Sequence, residues 1–590
     1  MSATGAPGAA DDVDLAKFGY KQELDRTLGS FATFAAGISY ISILTGTFQL
    51  FYFGFAFGGP AYWWSWPLVF AGQLMVALCF AELASRYPIA GSIYNWSKRL
   101  STPHVAWLAG WTMLFASIVT VAAVALAYQI TLPQIDAFFQ FYGDGTGKYD
   151  YAANAVILGT ALIVFTTIVN AIGVKLMAWI NSAGVIIELI AAVLLILAFA
   201  VNITRGPGVV TDTQGLGADW ELGYLGAFLT ASLASAYVMY GFDTASSLGE
   251  ESLDPRRNAP KAILRALVAS FLIGGAILLF AMMAVTDINS KELGVGGLQF
   301  IVLDVLGGTV GDIFLWSVVI AITVCCLAVH TAAIRMMFAM ARDNNLPGGA
   351  HLARVHPKTR TPIIPSILIG VLAIAILIVN IRQPQIFVVI TSLGIIMIYI
   401  AYLLVTVPML LARLRGQWRS EDAAPGYFTL GRWGLPVNVA AVLWGLFMAT
   451  NLIWPRQSVY NATEPFHWYL KWGGLLFVGG VMIGGFAYYW FVQRHKSGTL
   501  AEHAAGAQVE KSSGAQSEAA SAVAAVTMAR RVVTPVRERP EDIRVLAVDA
   551  RRSTIRLSRT PDSTVPGRYG FWFDDGRGHA RVGRILHEDA

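Results

Sequence analysis

Apolar residues run along this chain in long blocks, each closed by a short polar stretch. A bilayer core about 30 Å thick takes around 20 mostly apolar residues per helix. By that measure the pattern predicts about twelve membrane helices, near residues 29–56, 62–86, 104–131, 152–173, 178–201, 224–251, 262–285, 312–341, 362–381, 386–412, 435–455 and 468–493. Cations test the count, because Lys and Arg collect in cytoplasmic loops. With the N-terminus inside, the cytoplasmic segments hold Lys17, Lys21 and Arg26; Arg86, Lys98 and Arg99; Lys175; Arg256, Arg257 and Lys261. They continue with Arg342, Arg354, Lys358 and Arg360, then Arg413, Arg415, Arg419 and Arg432, and finally Arg494 and Lys496. The outer loops carry isolated cations such as Lys148, Arg205, Lys291, Arg382 and Arg456. The expectation is a multi-pass, all-α protein of the cytoplasmic membrane with both termini in the cytoplasm.

Composition narrows the class. Charged residues make up 13% of the chain, about half the share of a soluble domain. The net charge of +5 comes from loops and tail, so a nucleic-acid partner is not expected. Cys79, Cys325 and Cys326 sit inside apolar blocks and read as small buried hydrophobes. The sequence offers no metal-ligand spacing, cofactor motif, phosphate loop or nucleophile–base set, so neither an enzyme nor an ATP-driven pump is expected. Tyr62, Trp63, Trp64 and Trp66 read as a headgroup belt at one end of the second block.

Four regions follow. Residues 1–28 are polar, lack a signal-peptide core, and are expected in the cytoplasm, leaving the first apolar block as the anchor. Residues 29–495 form the helical domain. Residues 496–530, rich in Ala, Ser, Gly, Gln and Glu, read as a flexible linker. Residues 531–590 are Arg-rich with short β-like runs at 543–548 and 569–573, which suits a small β appendage or a basic tail near anionic lipid.

Two blocks carry glycine and polar residues where a lipid-facing helix would not: Gly37 to Phe48 in the first, and Ala236 to Ser247 in the sixth. Those are equivalent places if two five-helix halves repeat, the pattern of discontinuous helices around a midplane site. At such a break one half-helix points free N–H groups at an anion, and the other offers carbonyls to a cation. A zwitterion fits between them.

Tyr240 to Ser246, followed by Glu250-Glu251 and Asp254 to Ile263, resembles the sixth-helix signature of amino acid–polyamine–organocation (APC) permeases. Ala81 to Pro88, running on through Gly91 and Tyr94 to Trp96, resembles the second-helix signature. Arg335 to Pro347 resembles the end of the eighth helix, and the likeness spans residues from about 25 to 495. Ser42 to Gly46 and the approach through Phe428, Leu430 and Gly431 to Gly434 look most like the amino acid/choline branch, which includes γ-aminobutyrate permeases.

The resemblance implies a five-plus-five inverted repeat with two further helices, and a permease for an amino acid or related amine. It also implies roles. Thr45 and Gly46, with Thr47 beside them, fall where backbone N–H groups hold the substrate carboxylate. Tyr237, Val238, Tyr240 and Gly241 fall where sixth-helix carbonyls take the amine. Asp243 answers a substrate cation or braces the half-helices.

Ionisable residues inside apolar blocks need a reason, since each costs at least about 2.5–3.5 kcal/mol on insertion scales. Glu188 lies in the fifth block, where several relatives are expected to carry a lysine. It reads as a proton carrier, or as part of a cation site, with a quiet hydrogen-bonded carboxyl as the other choice. His330, in the eighth block, joins a proton path or packs with its ring satisfied. Glu82, Arg86, Arg335, Arg342 and Asp343 are candidates for an inner gate of ion pairs. Protons are the expected coupling ion, with sodium and exchange as alternatives. A transporter-like sensor signalling through the tail is the competing reading.

Overall fold

A bilayer offers no water to satisfy backbone groups, so an apolar block can close its hydrogen bonds only on itself, as a helix. The computed structural model describes residues 15–504, except 219, 383–385, 419–426, 462, 463 and 465, together with four C-terminal strands. Helices fill every predicted block. They are α1 (Ser30–Ile41), α2 (Ile43–Gly58), α3 (Ser65–Arg86), α4 (Ser92–Leu100), α5 (Pro103–Ala125), α6 (Ala127–Ile135), α7 (Asp150–Ile172) and α8 (Val174–Val201). Next come α9 (Tyr224–Val238), α10 (Thr244–Ser247), α11 (Pro255–Ala284), α12 (Leu293–Leu306), α13 (Gly308–Arg342), α14 (Ile363–Val379), α15 (Ile386–Leu414), α16 (Gly434–Ile453) and α17 (Gly473–Tyr488).

Among the described residues, ten helical stretches are long and apolar enough to cross a membrane. The first of them is α1 and α2 together, running Ser30–Gly58. Two shorter apolar helices, α9 and α14, occupy the sixth and ninth expected blocks. Helix α12 was not expected. It lies in the connection between the seventh and eighth blocks, and Gly297 (φ 62°) kinks it.

Helices α1, α2, α3, α9 and α11 pack on one another, while α5, α7, α8 and α14 pack around α13. From Val318 onward α13 is buried along most of its length, so it forms the axis of the helical domain. The chain also leaves the helical domain on the side where it enters. Lys21 N–H donates to the His503 carbonyl at 3.0 Å, and His503 Nδ1 lies 2.6 Å from Glu23 Oε2.

The expected aromatic belt is corrected. Tyr62 and Trp66 are buried, Trp66 donates to the Phe271 carbonyl and Trp63 to that of Gly275. Trp64 is 51% exposed and Trp63 partly so. Tyr62 fills the space left by Gly54 and Gly58 of α2, and Gly274 and Gly275 of α11 leave room for the Trp66 indole. The three cysteines are buried and free, as expected.

Residues 504–590 form a separate unit. Its strands are β1 (Val545–Asp549), β2 (Thr554–Leu557), β3 (Phe571–Asp574) and β4 (Ala580–Leu586), ordered β1-β2-β4-β3, with β2 and β4 parallel. The expected linker lies outside the described residues from 505 to 530.

Candidate functional site

The first break sits at Ser42, with φ 38° and ψ 99°, between α1 and α2. The serine caps the helix it starts: Thr45 N–H donates to its Oγ at 3.4 Å, and the two hydroxyls are 2.6 Å apart. At the other lip the Cys325 thiol donates to the Tyr40 carbonyl at 3.5 Å. Thr45, Gly46 and Thr47 therefore lie in the first turns of α2, just beyond the break. Gly46 N–H is already spent on the Ser42 carbonyl (2.9 Å), and the Thr47 hydroxyl on Ile43 (2.6 Å). What Gly46 supplies is closeness. A Cβ there would come within 2.7 Å of a Val238 methyl, so its absence lets the two broken helices touch.

The second break runs from Met239 to Asp243, between α9 and α10. Gly241 holds φ 84°, and a Cβ on it would lie 1.9 Å from the Tyr40 ring. Its N–H donates to Tyr402 Oη at 2.9 Å, and Tyr402 donates in turn to Asp243 Oδ1 at 2.6 Å. Ser92 donates to Asp243 Oδ2 at 2.9 Å. These bonds tie Asp243, at the end of the break, to α4 and α15. Tyr40 stands edge-on to Tyr240 (5.9 Å between ring centres), and Tyr240 to Tyr237 (5.6 Å). The buried hydroxyl of Tyr40 lies beside Ser117 and that of Tyr237 beside Tyr240, while those of Ser39 and Ser246 are buried with no hydrogen-bond partner among the described residues. A cleft lined by Leu50, Phe53, Leu233, Tyr237, Val388, Thr391, Ser392 and Ile395 reaches Tyr237 from the side away from the termini.

Helix α8 delivers Glu188 to the first break. Its buried stripe reads Asn181, Gly184, Val185, Glu188, Ala191, Ala192 and Leu195, a three-to-four spacing that marks one helix face. The opposite face is Trp179, Ile186, Ile187, Ile190, Val193, Leu194 and Leu197, exposed as a lipid-facing surface should be. Gly184 lets α8 approach α13, since a Cβ there would lie 2.2 Å from Val324. One turn on, Glu188 Oε1 accepts from Ser42 Oγ at 2.9 Å and from Leu44 N–H at 3.0 Å. Glu188 is buried, and its donors come from the break and the start of α2.

His330 lies elsewhere. Its Nε2 donates to the Ser366 carbonyl at 3.1 Å, and its Nδ1 faces Thr166 Oγ1 at 3.0 Å, so the ring ties α7, α13 and α14 together. Both nitrogens are used. Replacing His330 with Ala is expected to destabilise the protein by about 1–3 kcal/mol through the loss of its bonds to Ser366 and Thr166. Thermal unfolding in detergent measures the loss, and the pH profile of uptake should not move.

Each of the five candidate gate residues lies at the termini side and is engaged. Arg335 puts Nε and Nη2 on Glu251 Oε1 (3.0 and 2.6 Å), and Arg342 forks onto Glu250 (2.9 and 2.6 Å). Glu82 pairs with Arg413, and Arg86 lies 3.9 Å over the Trp418 ring. Asp343 takes Lys98 (2.6 Å), Tyr94 (2.7 Å), Tyr20 (3.0 Å) and Thr499 (3.0 Å). Burial alone would raise its carboxyl pKa; the Lys98 charge and these donors outweigh that and hold it below the usual carboxylate range. Glu250, Glu251, Arg413 and Lys98 were missed as members of this set. The adjacent Glu250-Glu251 pair was the available signal, because two acids together beside an apolar block require partners.

Comparison with known proteins places this geometry. A family model described as amino acid permease matches residues 28–482, and one for a domain of unknown function matches residues 544–590. The chain is 28% identical to amino-acid permease BAT1 of Arabidopsis thaliana, over 73% of this chain and 86% of that one. It is 27% identical to the branched-chain amino acid permease BcaP of Bacillus subtilis, over 74% and 90%. It is 29% identical to a methylthioribose transporter of the same bacterium, over 60% and 75%.

Proposed function

The chain belongs to the amino acid permease family of the APC superfamily, and on that premise we propose that it carries an amino acid or related amine across the cytoplasmic membrane by alternating access. It is a multi-pass membrane transporter and not an enzyme. The observation that carries the proposal is the pair of facing helix breaks, joined through Gly46 and Val238 and walled by Tyr40, Tyr237 and Tyr240. Ion pairs close one side of them, and a small cleft touches Tyr237 on the other. That asymmetry suits a carrier resting with one gate shut, whose helix bundle rocks against the α13 scaffold. The cation-rich side, which holds both ends of the helical domain, is read as cytoplasmic.

Protons drive the transport in this reading, through Glu188, with exchange as the other mode. Purified protein in liposomes should accumulate labelled amino acids, γ-aminobutyrate or choline in a saturable way, faster under an inward proton gradient. In Glu188→Gln that gradient dependence should vanish. Uptake indifferent to both gradient and substitution would point to exchange or sodium. A sensor remains the second reading, favoured by the separate C-terminal unit; binding without flux of any candidate would select it.

A further inference from the structure

The donors that a substrate carboxylate would need are already taken by a carboxylate of the protein itself. Leu44 N–H and Ser42 Oγ both donate to Glu188 Oε1, at 3.0 and 2.9 Å, while Thr45 N–H turns to Ser42 Oγ and Gly46 N–H to the Ser42 carbonyl. These groups open α2, a sixteen-residue helix whose N-terminal amides carry partial positive charge. A side chain from another helix therefore caps the anion pole of the break. Beside it, the buried hydroxyls of Ser39 and Ser246, one on each broken helix, have no partner among the described residues, and the Tyr40 and Tyr237 rings wall the space between the breaks.

We propose that Glu188 is an internal surrogate for the substrate carboxylate: it caps α2 while the site is empty and yields those donors to a carboxylate-bearing substrate, taking up one proton in the exchange. The inference rests on the amino acid reading above. Its logic is charge counting. Two carboxylates converging on one N–H and one hydroxyl, within about 3 Å, cannot both stay ionised. No ion-pair partner for Glu188 is found among the described residues, and the titratable group bearing on it from the helices around α8 is the Cys325 thiol of α13. Whether Glu188 stays in place or swings toward its apolar neighbours, it must become the neutral acid. The proton comes from solvent on the open side and is released when the substrate leaves. A guest with an ammonium but no carboxylate does not contest the donors, so it binds with Glu188 still ionised and takes up none.

The test counts protons. Calorimetry on the purified full-length protein in detergent, at pH 8 in buffers of different ionisation heat, gives the protons taken up per ligand bound. The proteinogenic amino acids and γ-aminobutyrate are screened first, then the tightest binder is compared with its decarboxylated amine. The wild type should take up about one proton per amino acid, with affinity falling about tenfold per pH unit above the Glu188 titration. Glu188→Gln should take up none and bind with a flat pH profile. Amino acid binding to wild type without proton uptake overturns the proposal and leaves the amino acid reading standing. So does full uptake in Glu188→Gln, or equal uptake with acid and amine. Should the variant not fold, the acid–amine comparison in wild type decides by itself. If no amino acid binds, the amino acid reading itself fails and the proposal falls with it.

Discussion

Removing Arg335 is expected to cost about 3–5 kcal/mol, more than any single apolar truncation on the lipid face. The guanidinium is almost fully buried, as is its partner Glu251, whose second oxygen has no bond among the described residues. Alanine at position 335 would strand that carboxylate out of water beside Glu250, and stranding a buried charge is what makes breaking such pairs expensive. The pair's own net worth is smaller. Arg335→Met combined with Glu251→Leu should therefore recover most of the lost stability, because both desolvation penalties go with the charges. Arg342 repeats the arrangement seven residues on, two helical turns along the same face of α13, against the adjacent Glu250. Thermal unfolding of Arg335→Met, Glu251→Leu and the double variant in detergent gives the cycle. A double variant as unstable as Arg335→Ala would mean that the pair is not the source of the loss. Transport should separate from stability, since the apolar pair has no reason to open: it should fold well and carry substrate slowly.

Gly241→Ala is expected to abolish uptake while the protein still inserts and folds. Two costs add at that position. The backbone sits at φ 84°, where a side chain costs about 1–2 kcal/mol. The new methyl would also lie 1.9 Å from the Tyr40 ring, and overpacking typically adds about 1–3 kcal/mol. The ring cannot simply step aside, because it stands edge-on to Tyr240 within the break. Tyr40→Ala in the same protein should relieve the clash but leave the backbone strain, restoring part of the stability and little of the uptake. Wild-type uptake by Gly241→Ala would show that the close contact of the two breaks is not needed for the transport cycle.

These two sites differ in how far the sequence reveals them. The breaks are legible because glycine and hydroxyl residues in an apolar block have few other uses, and the anomaly recurs at the first and sixth blocks. Even so, the first break falls at Ser42, ahead of the Thr45-Gly46 position that the resemblance suggests. Glu188 stands out for the same reason, a carboxyl in a block that otherwise avoids charge. Its partners do not stand out, because Ser42 and Leu44 are almost 150 positions away in the chain.

The sequence by itself determined the helices, their approximate ends, the two interruptions and the residues too polar for their surroundings. All of these follow from local chemistry: a bilayer demands about 20 apolar residues per crossing and penalises each departure. Only the tertiary structure decided who meets whom. Arg335 finds Glu251 and not Glu82, Glu82 finds Arg413, Asp243 turns to Tyr402 and Ser92, and Trp66 points into the protein. Each pairing joins helices far apart in the chain, and several acids and bases of the same type compete at the same end of the bundle. Charge alone cannot choose among them. The choice comes from how closely the helices approach, which is set where glycines such as Gly46, Gly184 and Gly241 leave no side chain between them.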